Sequence, residues 1–310
     1  MQGWPALDYA ASRDTLETLH LWLQIAGKVR LKLTPWINHG WSVTLAITAR
    51  GLSTGPMPSG DALVELEFDF IEHRLIGCTS GGTTAAVKLE PQGVAVFYRK
   101  VREMLDRLGV QVAIYPVPSE VADPIPFAVD EAHESYDPAA VHGLWRALVC
   151  ADRVLKQFRT GFLGKVSPVQ LFWGGFDLAV TRFSGRPAPL HPGGIPGLPD
   201  RITREAYSHE VSSAGFWLGD ARFPEAAFYS YAYPEPAGFR AAAVPPPARY
   251  VEELGEFILP YDAVRAASEP EALLLAFFDS TYRAAADGGG WDRAALECAS
   301  GRPGVPRTVG

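Results

Sequence analysis

Apolar positions recur at two spacings along this chain, and the switches between them mark out its elements. Leu16, Leu19, Leu23 and Ala26 stand three or four apart, on one face of a helix that Ser12 to Asp14 opens and Gly27 closes. Strand-like runs follow at 29–33, 41–48, 62–70, 74–79 and 85–89. In the third run Val64, Leu66, Phe68 and Phe70 alternate with Glu65, Glu67 and Asp69, which predicts one buried and one wet face. Ser80-Gly81-Gly82-Thr83 reads as a hairpin turn. Val94, Phe97, Val101, Leu105 and Leu108 form the stripe of a second helix, with Gly109 at its C-terminal end. A strand over 110–117 and a connector stiffened by Pro116, Pro118, Pro124 and Pro126 complete the first half.

The second half opens with Asp137-Pro138, an N-cap aspartate and a proline at the first helical position, for a helix running to about Thr160. Strands are expected at 169–173, 177–183, 207–216 and 227–233. Helices are expected at 263–267 and 270–285, after the linker Pro245-Pro246-Pro247.

The chain also matches itself. Six residues separate Gly27-Lys28-Val29 from Trp36, and six separate Gly164-Lys165-Val166 from Trp173. Leu45-Ala46-Ile47-Thr48 is echoed by Leu178-Ala179-Val180-Thr181, followed by Arg50 and Arg182. An internal repeat fixes architecture. The expectation is therefore an α+β chain of two pseudo-repeated helix-plus-antiparallel-sheet halves packed together, helices on one face. The halves are 1–125 and 126–298, with a flexible tail over 299–310.

Composition narrows the function. The 310 residues are 47% hydrophobic with mean hydropathy +0.01, which fits a globular chain and excludes a disordered one. A net charge of −7 argues against a nucleic-acid partner, since phosphate backbones need a basic stripe. No apolar run suits a membrane span, and the first residues lack a secretory signal pattern. Cys78, Cys150 and Cys298 form no CxxC, so a reducing cytoplasm is the expected compartment. Oligomeric state is left open.

Known catalytic signatures are missing. The Gly-Lys pairs lack the hydroxyl residue of a phosphate-binding loop, and no Gly-x-Ser-x-Gly elbow occurs. His133-Glu134 reads as the approach to the Asp137 helix cap. If the repeat holds, Lys28 and Lys165, two of only six lysines, meet Arg50 and Arg182 across a pseudo-twofold axis and favour an anionic ligand. The plainer alternative pairs each lysine with a neighbouring carboxylate. His20, Gln24 and Lys28 form a polar stripe that lines either a pocket or a half-exposed helix edge.

The densest chemistry lies in 207–217, where a strand pattern carries polar residues on both faces, a costly arrangement in a plain core. His209 is the candidate acid/base, with Glu210 and Tyr231 beside it. Lys28, Lys165, Arg50, Arg182, Gln24 and Tyr229 are the candidate substrate-binding residues. His39, His191 and His209 could form a metal centre, though no local ligand spacing supports one. The loop 185–200, rich in Pro and Gly, has the length of a lid.

The strings Gly27-Lys28-Val29-Arg30-Leu31, Phe68 to Leu75, Asp177 to Arg186, His191-Pro192-Gly193-Gly194, Tyr207 to Trp217 and Phe228 to Pro234 resemble a bacterial family known only as a domain of unknown function. The resemblance runs from Trp4 to Trp291. It implies a stand-alone protein and brings no activity, cofactor or catalytic residue. The function expected from the residues is a cytoplasmic enzyme acting on a small carboxylate or phosphate by acid/base chemistry, cofactor unknown. The alternatives are a non-catalytic small-molecule-binding protein and a metal-dependent enzyme.

Overall fold

A computed structural model describes residues 3–307. Helix α1 (Tyr9–Leu33) leads into β1 (Ala46–Ile47), β2 (Gly51–Ser53), β3 (Met57–Ser59), β4 (Ala62–Asp69), β5 (Arg74–Thr79) and β6 (Thr84–Lys88), and α2 (Val94–Arg107) closes the first half. After a long coil come α3 (Pro138–Arg159), β7 (Gln170–Phe172), β8 (Asp177–Pro187), α4 (Asp200–Ala206), β9 (His209–Trp217) and β10 (Ala227–Tyr233). The chain ends through β11 (Arg249–Val251), β12 (Glu256–Pro260), α5 (Tyr261–Ala266), α6 (Pro270–Gly288) and α7 (Arg293–Leu296). The class is α+β, with two antiparallel six-stranded sheets.

The first sheet runs β1-β2-β4-β5-β6, with β3 also on β4; the second runs β11-β12-β10-β9-β8-β7. They meet where Leu45 and Leu171 exchange two backbone hydrogen bonds of 2.9 Å. Each of these leucines lies twelve residues past the end of a long helix, α1 or α3. On the second sheet Leu178, Phe216 and Phe228 are fully buried on the side of α3 and α6, where Phe228 meets Phe278 edge-on. The opposite face of that sheet looks into a cavity. Among the described residues no helix is long and apolar enough to cross a membrane.

Several expectations are corrected. Helix α1 begins at its N-cap Asp8, whose carboxylate accepts from the Ala11 amide, and runs through 29–33 instead of yielding to a strand. Arg30, Leu31, Lys32 and Leu33 are good helix formers, and one valine does not outweigh them. Gly27 is not a terminator: a methyl group there would overlap the Trp173 ring, so glycine lets the two elements close up. Residues 110–117 form no strand: the Pro116 carbonyl accepts from the Phe127 amide instead of a neighbouring strand, and Pro116 has no amide to offer. The expected strand 41–48 shrinks to β1, since a 3-10 turn over Asn38–Gly40 carries the chain into it. Helix α4 and strands β2, β3, β11 and β12 were not foreseen.

The sequence match does not mark corresponding places. Gly27-Lys28-Val29 is helical, whereas Gly164-Lys165-Val166 lies in the loop before β7. Of the tail, 299–307 are held in part by Arg307, which donates to the carbonyls of Thr160 and Ala299. Residues 308–310 lie outside the described residues.

Candidate functional site

A cavity of about 790 Å³ separates the open face of the second sheet from the end of α1 and three loops. Its floor is laid by strand alternation: Asp177, Ala179, Thr181 and Phe183 of β8, Val211 and Ser213 of β9, Tyr229 and Tyr231 of β10. Strand register sets the polar atoms in rows. Thr181 pairs with Ser213, their hydroxyls 2.9 Å apart, and Ser213 pairs with Tyr231. Tyr231 in turn lies 2.7 Å, oxygen to oxygen, from Tyr207. In the next row Tyr229 folds over Gly215 and donates its hydroxyl to Asp177. A methyl at Gly215 would overlap that ring and stand 2.5 Å from the Leu178 carbonyl oxygen.

The roof is built from α1. Gln24, fully buried, grips the backbone of Ser119 from both sides, donating to its carbonyl and accepting from its amide, each at 2.8 Å. One turn on, Lys28 donates to the Ser119 hydroxyl at 2.8 Å. One turn back, His20 Nε2 donates to the carbonyls of Trp173 and Gly174 at 2.9 Å. The stripe therefore clamps two loops, and those loops deliver two carboxyl groups to the cavity wall. Glu120 follows Ser119 and lies over Gly174 and Gly175; Asp177 also approaches Gly175. A side chain starting at Gly175 would stand 2.9 Å from Asp177 Oδ1 and 3.7 Å from Glu120 Oε2, so the two carboxyls are neighbours. His39, Glu120 and Phe176 all adopt left-handed backbone in segments that wall the cavity, a strain that residues with a Cβ rarely carry.

Burial sets the charges. It pushes Asp177 up to about 6, although the Tyr229 hydroxyl pulls the other way. Glu120 is exposed on the cavity side, yet the protein packed around its carboxyl and the Asp177 charge push it up to about 7, against the pull of Lys28. Glu256, at the start of β12, is pushed up to about 8 by burial and Asp177. Burial brings Lys28 down to about 8, with Glu120 opposing the shift. Among the described residues its ammonium has no carboxylate within 4.0 Å, and it lies 5.5 Å from the Tyr115 ring and 5.4 Å from the Trp173 ring. Lys32 and Arg201, both exposed, add positive charge to the wall, while Trp36, Trp41 and Phe172 add apolar surface.

Of the residues named from sequence, the structure brings Lys28, Tyr229, Tyr231 and His39 to the cavity. Gln24 lies behind the wall with its amide fully engaged by Ser119. Lys165 also lies behind it, donating to His39 Nε2 while His39 Nδ1 donates to the Ala206 carbonyl. His209 is half-buried, outside the lining, with its Nδ1 3.1 Å from the Ser208 hydroxyl. Glu210 points to the other face of β9 and pairs with Arg186 at 2.7 Å. Arg50 belongs to the first sheet, where it pairs with Asp69 at 2.7 Å. Arg182 is turned to the helix side, 3.6 Å from the Phe158 ring and 4.3 Å from the Tyr282 ring. The four-cation site is thus not assembled, because strand alternation and separate sheets send its members apart.

The three histidines do not assemble either. The rings of His39 and His209 lie 5.8 Å apart, but the lone pair of His39 Nε2 is taken by Lys165. His191 stacks on Tyr207 at 4.7 Å, with its Nδ1 accepting from the Gly193 amide. Among the described residues no group of three His, Cys, Asp or Glu side chains could hold a metal ion.

Sequence reasoning missed Glu120, Asp177 and the Gly174-Gly175 step between them. Their local signal was Trp173-Gly174-Gly175-Phe176-Asp177, a glycine pair immediately before a strand, where backbone can approach a side chain closely. Glu120 carries no such signal, because it sits in a connector whose prolines read as a linker. Comparison with curated proteins and with solved structures finds no match. A family model does match, over residues 4–298, and the chain belongs to that family of unknown function, DUF5996.

Proposed function

We propose that this protein is an enzyme acting on a small anionic molecule by proton transfer within the cavity, with Glu120 and Asp177 as the exchanging pair. The observation that carries this reading is the juxtaposition of those carboxyls beside Gly175, in surroundings that raise one to about 7 and the other to about 6. Near pH 7 such a pair shares protons, so one member can accept as the other donates. Tyr229 fixes the Asp177 oxygen that accepts its hydroxyl, leaving the other oxygen for substrate. Lys28, Lys32 and Arg201 supply charge for a carboxylate or phosphate, and the tryptophans supply flat surface for an apolar body. Three free cysteines support a reducing compartment such as the cytoplasm.

A binding protein without chemistry would use the same aromatic walls, but the strained Glu120 would have no role in it. The two readings separate in one experiment. Purified protein is incubated with a pooled set of small organic acids and phosphate esters, and each compound is followed by mass spectrometry. The enzyme reading expects at least one compound to be consumed, with Glu120→Gln and Asp177→Asn each slowing the loss by about 10²–10⁴-fold. Retention of a compound without conversion would overturn catalysis and leave the binder.

A further inference from the structure

We propose that Lys28 is a nucleophile that forms an imine with the carbonyl group of an oxo acid bound in this cavity. The inference rests on the acid/base reading above and names its substrate class.

The geometry is specific to Lys28. It is one of six lysines, and only 3% of its surface is exposed, yet it borders the cavity. Among the described residues its Nζ donates to the neutral Ser119 hydroxyl and has no carboxylate within ion-pairing distance. Desolvation therefore works against its charge, and its fall to about 8 leaves a sizeable neutral fraction at neutral pH. The two aromatic rings beside it keep bulk water off the amine. Glu120 acts on it electrostatically from the same wall and supplies the proton traffic that imine formation needs. Lys32 lies one turn further along the same face of α1, and Arg201 lines the same cavity, so an acid group attached to the carbonyl finds cations there.

The step balances without an outside oxidant or reductant. The lone pair of neutral Nζ attacks the carbonyl carbon, and the carbonyl π pair moves to oxygen, which takes a proton from a carboxylic acid of the pair. A carboxylate removes a proton from nitrogen to give the carbinolamine. The nitrogen lone pair then expels the oxygen, protonated once more by a carboxylic acid of the pair, as water. Amine, carbonyl and one proton from the pair thus become protonated imine plus water. The C–H bonds beside the imine carbon become acidic, and a carboxylate of the pair can take that proton next.

Formaldehyde and cyanoborohydride test the nucleophile itself, since formaldehyde is too small to be excluded by pocket shape. Peptide mapping then follows methylation at all six lysines of the intact protein at pH 7.5. The expected result is that Lys28 reacts roughly tenfold faster than the exposed Lys32, because desolvation leaves a sizeable fraction of Lys28 neutral. A Lys28 that reacts more slowly than Lys32 overturns the proposal. Glyoxylate with cyanoborohydride tests the class: the expected carboxymethyl adduct sits on Lys28, disappears in Lys28→Arg and forms more slowly in Glu120→Gln. Failure of both probes at Lys28, with Glu120→Gln still blocking turnover of a small acid, overturns the imine and leaves the acid/base reading standing. An adduct that forms equally fast in Glu120→Gln keeps the nucleophile and overturns the carboxyl pair.

Discussion

On β4 of the first sheet, Val64, Leu66 and Phe68 are buried while Glu65 and Glu67 face outward, where their carboxylates accept hydroxyls from Ser53 and Thr48. On β9 of the second sheet, all six residues from Val211 to Phe216 are buried, serines included. The first strand separates apolar from polar across its two faces. The second buries both faces, one against helices and the other beneath a cavity whose roof comes from α1 and distant loops. A polar residue on a doubly covered strand is costly unless something hydrogen-bonds to it. Here Thr181, Ser213, Tyr231 and Tyr207 satisfy one another in a chain. The lesson is that hydroxyls inside a β pattern marked the sheet that lines the cavity, whereas clean alternation marked the sheet that does not.

The sharpest way to break this contrast is to damage the supporting sheet. Phe68→Ala removes a ring 1% exposed in the core and should cost about 3–5 kcal/mol in urea unfolding. The protein that remains folded should bind small acids as the wild type does. A loss of binding without loss of stability would show that the two sheets are not divided in this way.

Gly27→Ala should have a smaller effect on stability and a clear one on the cavity. The added methyl overlaps Trp173, which donates to the Val43 carbonyl at 2.6 Å and flanks Lys28. Overpacking there should cost about 1–3 kcal/mol and weaken ligand binding together with it. Thermal unfolding and binding measured on the same preparation check both.

Most helices and the main strands could be read from the chain because each rests on local periodicity. Asp137 and Pro138 capped α3 as expected, and β4, β5 and β10 fell where alternation put them. The site was half legible. Lys28, Tyr229 and Tyr231 could be found, the first through a polar stripe and the others through hydroxyls in a strand. Glu210 and Arg182 were misplaced because side-chain direction on a strand alternates, and sequence does not say which face meets the cavity; His209 shares the face of Val211 and Ser213 but stands at the first residue of β9, outside the lining. Glu120 was out of reach, since Gln24 holds its loop from a position 95 residues away in the chain.

Glu120→Gln sharpens the comparison most finely, through pH. The folded carboxyl, raised to about 7 from its ordinary 4.5, binds protons that the unfolded chain has already released. Its contribution is therefore fully present below about 4.5 and is lost as pH rises through 7. Removing the titration should make the variant gain stability relative to wild type across that window and hold the gain above it. Urea unfolding at a series of pH values reads the difference.

The central claim is that the second sheet's cavity holds two carboxyl groups that exchange protons near neutrality. Carbon-13 NMR of protein labelled at aspartate and glutamate carboxyls tests it most directly, with Asp177→Asn and Glu120→Gln to identify the signals. The account predicts two coupled titrations, with Asp177 near 6 and Glu120 near 7, each signal vanishing in its own variant. Ordinary titration of both groups near 4, the range of exposed carboxylates, would contradict it.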